Sequence, residues 1–305
     1  MAYDKILDVP WHAYRTWAGT ARFLKRELNR WTHYTLGLAL IGALLAAVGQ
    51  EFHVLPAFKD WTTLQKGVAF VASAAVALSA YFGKQALTQG NTSDWIKARS
   101  AAESLKAAVY LYRASAPPFD TADREKILFD RVDAIEQTVA TVQSRAVAPD
   151  AKPPDLTPLT VDDYIQKRVD DQIGYYDQRS SEYQRQNDIL RNTVFWLGAA
   201  SAILALMSAL GVVPALIGLV ATLTASLSAH AQSQQYQTLI VTYQSTSRRL
   251  LELKGAWAAS HKTDADAAER SDFIVKCEHA LAIENSAWVG AWSPQKPAVP
   301  PVAQA

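Results

Sequence analysis

Hydrophobic and polar positions follow two patterns along this chain, one long and one short. On the long scale, four windows contain no Asp, Glu, Lys or Arg: residues 31–50, 67–83, 192–210 and 211–229. Each is about 17–20 residues, near the lower end of what a helix rising 1.5 Å per residue needs to cross ~30 Å of hydrocarbon. The last two windows are joined by little more than Gly211-Val212-Val213-Pro214, which predicts a tight transmembrane hairpin. A longer tip, residues 51–66, separates the first two and is expected to form a small cap. On the short scale, Tyr236, Tyr243, Leu250 and Trp257 recur every seven residues, with Leu239, Thr246 and Leu253 three further on. Val169, Tyr176, Tyr183 and Leu190 recur in the same way before the third window. These are the a and d positions of a coiled-coil seam. Stalks that enter and leave one short hairpin run antiparallel, so the two seams are predicted to pair beneath it. The seam tyrosines carry phenol groups that need partners, which predicts an interface wet in places.

A third helix type closes each half. Leu128, Val132, Ile135, Val139 and Val142 follow the helical step over residues 122–144, and Phe273, Cys277, Leu281 and Trp288 do so near the end. Each is an amphipathic helix with one face to bury, and packing it on the stalk gives a three-helix bundle. Shifting the chain by 145 residues overlays the second window on the fourth and sets Leu105 on Leu250, Leu128 on Phe273 and Val132 on Cys277. The agreement is one of pattern more than identity, and it implies a duplicated architecture. The expected layout is a first two-span unit over 1–145, a linker over 146–160 marked by Pro149, Pro153, Pro154 and Pro158, a second unit over 161–292 and a disordered tail over 293–305. The fold class is an all-α membrane protein with two tandem transmembrane hairpins and helical bundles outside the bilayer.

Composition and charge sharpen this picture. Hydrophobic residues make up 50% of the 305 residues and charged residues only 19%, where a soluble chain carries nearer a quarter. The deficit falls in the four windows. A soluble protein with buried helices is the competing reading. Four consecutive helices apolar on all sides need a core larger than a chain of this length can wrap. The flanks also follow the positive-inside rule. Arg15, Arg22, Lys25, Arg26 and Arg30 precede the first window, Lys84, Lys97 and Arg99 follow the second, Arg179, Arg185 and Arg191 precede the third, and Arg248, Arg249 and Lys254 follow the fourth. Both termini and the middle are therefore expected in the cytoplasm. Residues 1–10 hold Asp4, Lys5 and Asp8 and no apolar run, so the first window is expected to act as an uncleaved span. The net charge of +1 gives no reason to expect a nucleic-acid partner, and a single cysteine, Cys277, fits a reducing compartment.

Small residues crowd the windows. In the fourth, Gly218, Thr222 and Ser226 stand four apart, as do Ala221 and Ala225. Such spacing lets backbones approach closely, either within one chain, between chains, or around a narrow pore lined by hydroxyls. No carboxylate, Lys or Arg lies in a window, which argues against a proton relay or an ion-coupled transporter. The sequence shows no phosphate-binding glycine loop, nucleophile elbow or zinc ligand set, so no catalytic, cofactor or metal site is expected and the chain does not read as an enzyme. Its six histidines are scattered; His230, at the mouth of the fourth window, is expected to be an interfacial residue or a pH-sensing gate. Arg99 and Glu103, four apart, are expected to form a surface ion pair.

The motif Tyr164-x3-Arg168-x3-Gln172-x3-Tyr176 stands just before a two-span hairpin, and Glu278, Glu284 and Trp288 close the same unit. This unit resembles the bacterial SLATT family of two-transmembrane domains found beside nucleotide-second-messenger systems. The first unit resembles a sister subfamily through Trp95, Arg99, Glu103 and Lys106, followed by Pro118-Phe119; Tyr110 or Tyr112 stands where that pattern expects tryptophan. The resemblance implies an oligomeric effector of a bacterial conflict or antiphage system. Such an effector sits in the inner membrane and perforates it when a cytoplasmic nucleotide-sensing or signalling partner detects infection. The implied partners are the lipid bilayer, further copies of the chain and that sensor. The alternative is a non-conducting scaffold or receptor subunit that recruits a cytoplasmic partner.

Overall fold

The computed structural model describes residues 2–54, 62–87, 89–145, 155–208, 214–260 and 266–292. Every regular element among them is a helix. The first unit opens with α1, Ala2–Val54, one helix of 53 residues that carries the polar N-terminal segment straight into the window 31–50. Helix α2, Thr62–Leu87, returns alongside it, and α3, Gln89–Arg113, continues past the polar half of α1. Helix α4, Arg124–Thr138, then folds back on α3 and α1. It is shorter than the periodicity predicts. Val139 and Val142 still enter the core, from the turn that follows the helix.

The second unit begins with a short turn, α5, Val161–Tyr164, under a capping box. Asp163 N–H donates to Thr160 Oγ1 at 3.1 Å and Thr160 N–H to Asp163 Oδ2 at 3.2 Å. A π-helical turn, Ile165–Asp170, leads into α6, Asp171–Ser208, which runs from stalk into span without a break. Helix α7, Pro214–Gln234, returns along α6 and also touches α1. It meets the stalk helix α8, Tyr236–Ala259, at Gln235, whose φ of 50° is left-handed. The fourth window and its stalk are thus two helices joined by a corner. Helix α9, Ala267–Trp292, packs on α8 and reaches across to α3.

Among the described residues, three helical stretches are long and apolar enough to cross a membrane: Lys5–Gln50, Thr62–Gln85 and Val161–Met207. Helix α7 is uncharged throughout but ends in the polar run from His230 to Gln234; residues 211–213 of its window, like residues 55–61 of the tip, lie outside the described residues. The windows bury little against the rest of the chain. Phe70, Phe195, Trp196 and Leu206 are all more than three-fifths exposed, the surface expected of helices solvated by lipid. In the first hairpin, small residues allow close approach. A Cβ on Gly42 would stand 2.8 Å from Val76 Cγ2 and 3.2 Å from the Ala72 carbonyl oxygen. Ser79 Oγ donates to the Thr35 carbonyl at 2.9 Å across the same interface.

The apolar core lies outside the windows. Leu105, Val109 and Leu128 of the first unit and Val169, Leu250 and Ile274 of the second belong to one buried cluster. The last part of the expected linker joins it. Leu156 and Leu159 are buried, Leu159 N–H donates to the Arg113 carbonyl at 2.9 Å, and Arg113 Nε donates to the Thr157 carbonyl at 2.9 Å. Residues 155–160 are therefore a strap held by two leucines and a backbone clamp; residues 146–154, and the expected tail 293–305, lie outside the described residues.

Candidate functional site

Four polar residues at steps of four, Tyr164, Arg168, Gln172 and Tyr176, are all buried along the start of the α6 stalk. A buried face that polar is tolerated only when its groups are satisfied. Arg168 and Glu278, 2% and 6% exposed, form a two-pronged ion pair: Nε donates to Oε1 at 2.9 Å and Nη2 to Oε2 at 3.0 Å. Tyr164 donates its hydroxyl to the same Oε1 at 3.0 Å. The Arg168 guanidinium also lies 5.0 Å from the ring centre of Tyr110 in the first unit, and Tyr110 donates to the Lys167 carbonyl at 3.2 Å. Burial works against the Arg168 charge, but Glu278 outweighs it and holds the proton more firmly than usual. Burial and the Glu278 carboxylate push the Tyr164 phenol well up.

A second ionic contact crosses between the units one step higher. Arg99 of α3 reaches Glu284 of α9 at 3.4 Å, so its guanidinium bridges the halves of the molecule, and the Glu103 charge on its own helix also favours its ionised form. Tyr176 donates to the other Glu284 oxygen at 3.4 Å, and Asn285 to Ser100 Oγ at 3.3 Å. Burial raises the Glu284 carboxyl to about 6, with Arg99 opposing and Glu103 adding to the rise. Trp95 is buried beneath Lys25, whose ammonium sits 4.0 Å over the ring centre. Burial, then the neighbouring Arg99 charge, lowers that ammonium to about 8.

These residues wall a cavity of about 810 Å³ between the units. Its sides come from α1, α3, α6, α8 and α9, and its end reaches Thr32, His33, His230 and Gln234, where the first window and α7 meet the polar bundle. His230 is therefore not isolated: the His33 ring stands 6.5 Å from it, centre to centre. Among the described residues no three His, Cys, Asp or Glu stand together as a metal-ligand set.

The seam residues lie on the facing stalks α6 and α8. Tyr176 and Tyr243 stand with ring centres 5.3 Å apart, Tyr183 and Tyr236 5.7 Å, and Tyr183 and Tyr243 6.0 Å. Val169 and Leu250 are fully buried, Leu190 is half-buried, and Trp257 stacks on Phe273 at 4.8 Å. The small-residue face of α7 is placed differently. Gly218, Ala221, Thr222 and Ala225 are exposed and Ser226 half-buried. A Cβ on Gly218 would meet nothing within 4 Å. Within one chain this face packs against nothing at Gly218. The family-motif residues Trp95, Arg99, Glu103, Tyr164, Arg168, Gln172, Tyr176, Glu278 and Glu284 gather around the two ionic contacts and the cavity; the Trp288 side chain lies outside the described residues.

Fold and site together define a helical membrane protein whose second unit is braced by the buried Arg168–Glu278 pair and joined to the first by the Arg99–Glu284 contact. Residues 164–288 match the family described as SMODS and SLOG-associating 2TM effector domain 1, and residues 15–126 match a family described as protein of unknown function, DUF4231. Over residues 164–288 the chain is thus similar to the SLATT family. Comparison with curated proteins and with solved structures finds no match.

The sequence reasoning missed the joint between the units. Arg99 and Glu284 are 185 positions apart, and helical periodicity carries no information at that range. One signal was present. Tyr164, Arg168, Gln172 and Tyr176 form a polar stripe at helical spacing on the same stalk as the apolar seam, and such a stripe needs buried partners elsewhere.

Proposed function

We propose that this protein is an oligomeric membrane effector of a bacterial conflict or antiphage defence system, and that it opens a pore or disrupts the bilayer when its polar bundles rearrange. It sits in the inner membrane as a multi-pass protein with both termini in the cytoplasm, as the cationic flanks of the windows require. One observation carries the pore reading. The small-residue face of α7 around Gly218 is open within the chain, although small residues at that spacing serve close helix packing in a bilayer. A second copy supplies the missing surface. The family description, an effector domain with two transmembrane helices associating with SMODS and SLOG proteins, supports the effector role and a separate signalling partner. The bundles are the two-state element, held by the Arg168–Glu278 and Arg99–Glu284 contacts. The chain acts through packing and charge, not catalysis.

The test is conductance of the purified full-length chain in planar bilayers. Discrete, reproducible current steps are expected. A protein that inserts and oligomerises but passes no current at any density is a scaffold or receptor subunit instead.

A further inference from the structure

The cavity between the units has a charge balance that the reading above does not use. Five cations face it, Arg22, Lys25, Arg99, Lys106 and Arg179, against three carboxylates, Glu103, Asp171 and Glu284. One of the three, Glu284, is already engaged by Arg99 and Tyr176. Cations beside a membrane span ordinarily turn outward to the headgroups. Here Lys25 is folded inward over Trp95, on the same wall as Arg99. Like charges held together away from bulk water repel more strongly than at an open surface. The volume, about 810 Å³, lies in the range of small-molecule sites, roughly 300–1,000 Å³.

We propose that this cavity binds a phosphate-bearing anion, held by Arg22, Lys25 and Lys106, while Arg179 is paired with Glu182 at 2.7 Å. Guanidinium forks and ammonium groups converging from different helices match phosphate oxygens in geometry and sign. With Glu182 counted against Arg179, the cations exceed the carboxylates by one, and donors from two helices suit the oxygens of a phosphate better than those of a single carboxylate. The aromatic wall of Tyr175, Tyr183 and Tyr236 accommodates the rest of the ligand. Two sources share this chemistry. Because the cavity reaches Thr32 and His230 at the ends of the spans, an anionic phospholipid can enter it by its headgroup. A soluble organic phosphate can enter from the aqueous side. Either ligand would touch both units at once and so bias how they sit together. The inference stands apart from the pore reading, because a scaffold would carry the same cavity.

The test uses full-length protein in uncharged detergent, with intrinsic fluorescence and thermal shift as readouts. The probes are dioctanoyl phosphatidylglycerol, dioctanoyl phosphatidylcholine as the zwitterionic control, and inorganic pyrophosphate. Saturable binding of phosphatidylglycerol alone assigns the site to a lipid headgroup; saturable binding of pyrophosphate, alone or in competition with the lipid, assigns it to a soluble phosphate. In either case Lys25→Met and Arg22→Ala weaken binding at least about tenfold, as loss of one charge-assisted hydrogen bond does. Arg249→Ala, on the outer face of α8, leaves binding unchanged. Arg22 is exposed, so its variant folds even if Lys25→Met does not. The proposal is overturned if neither anion saturates, if phosphatidylcholine binds as well as phosphatidylglycerol, or if both cavity variants bind like the wild type.

Discussion

Arg168 is the most demanding residue in the molecule. A buried guanidinium loses its hydration, and here Glu278 and the face of Tyr110 compensate Arg168, with Tyr164 holding the same carboxylate and Nη1 left without a hydrogen-bond partner. Removing one partner leaves the other charge stranded. Arg168→Met and Glu278→Leu are each expected to cost about 3–5 kcal/mol. The double variant is expected to recover much of that loss, measured by denaturant unfolding in detergent. Equal losses in the single and double variants would show that the pair is not the source of the cost. Glu284 makes a separate prediction. Its folded carboxyl titrates near 6, above the ordinary carboxylate value, because it is buried. Below about pH 4.5 both folded and unfolded states are protonated. As pH rises toward 6, the unfolded state gives up its proton first. Stability therefore falls over that interval, by on the order of 2 kcal/mol for this one group. The difference in stability between wild type and Glu284→Gln should change across pH 4.5–6 and be flat above it. A constant difference across that range would contradict the burial argument.

At the scale of elements, the absence of charge is a local property, and for that reason the spans of the first three windows were legible in the sequence. So was the α6–α8 seam, since Tyr176, Tyr183, Tyr236 and Tyr243 already repeat at seven. What the sequence hid were boundaries set by tertiary contacts. Val139 and Val142 keep the apolar spacing of α4 after its helix has ended. Leu156 and Leu159 sit in a proline-rich stretch that reads as linker, yet they dock on the core. Gln235 carries no turn signature at all, although it alone bends α7 into α8. With φ at 50°, a β-branched residue there is strained. Gln235→Val is expected to lower stability by about 1–2 kcal/mol, while Gln235→Gly, free of that steric conflict, is not. Thermal unfolding of the two variants distinguishes them, and equal effects would show that the corner is not required.

At the scale of the whole molecule, the order of long entering helix, return, stalk and closing helix was readable from the chain. The placement of the two bundles was not, because it depends on Arg99 and Glu284 meeting across 185 positions. The proposed topology is open to thiol labelling. Cysteines introduced at Ser181 and Ala258, both exposed, should label only after the inner membrane is permeabilised. The native Cys277 will stay silent, because burial and Glu278 push its thiol up to about 12. Labelling of either site from the periplasmic side would reverse the orientation.

The central claim, that copies of this chain assemble through α7 and breach the membrane, meets its most direct test in ion leakage from cells producing the protein. Gly218→Leu fills a position where one chain leaves open space, so folding and membrane abundance should hold while packing between copies is blocked. Leakage by the wild type that disappears in Gly218→Leu and Ser226→Leu, at equal abundance in the membrane fraction, is the predicted result; leakage by Gly218→Leu as strong as the wild type's would contradict it.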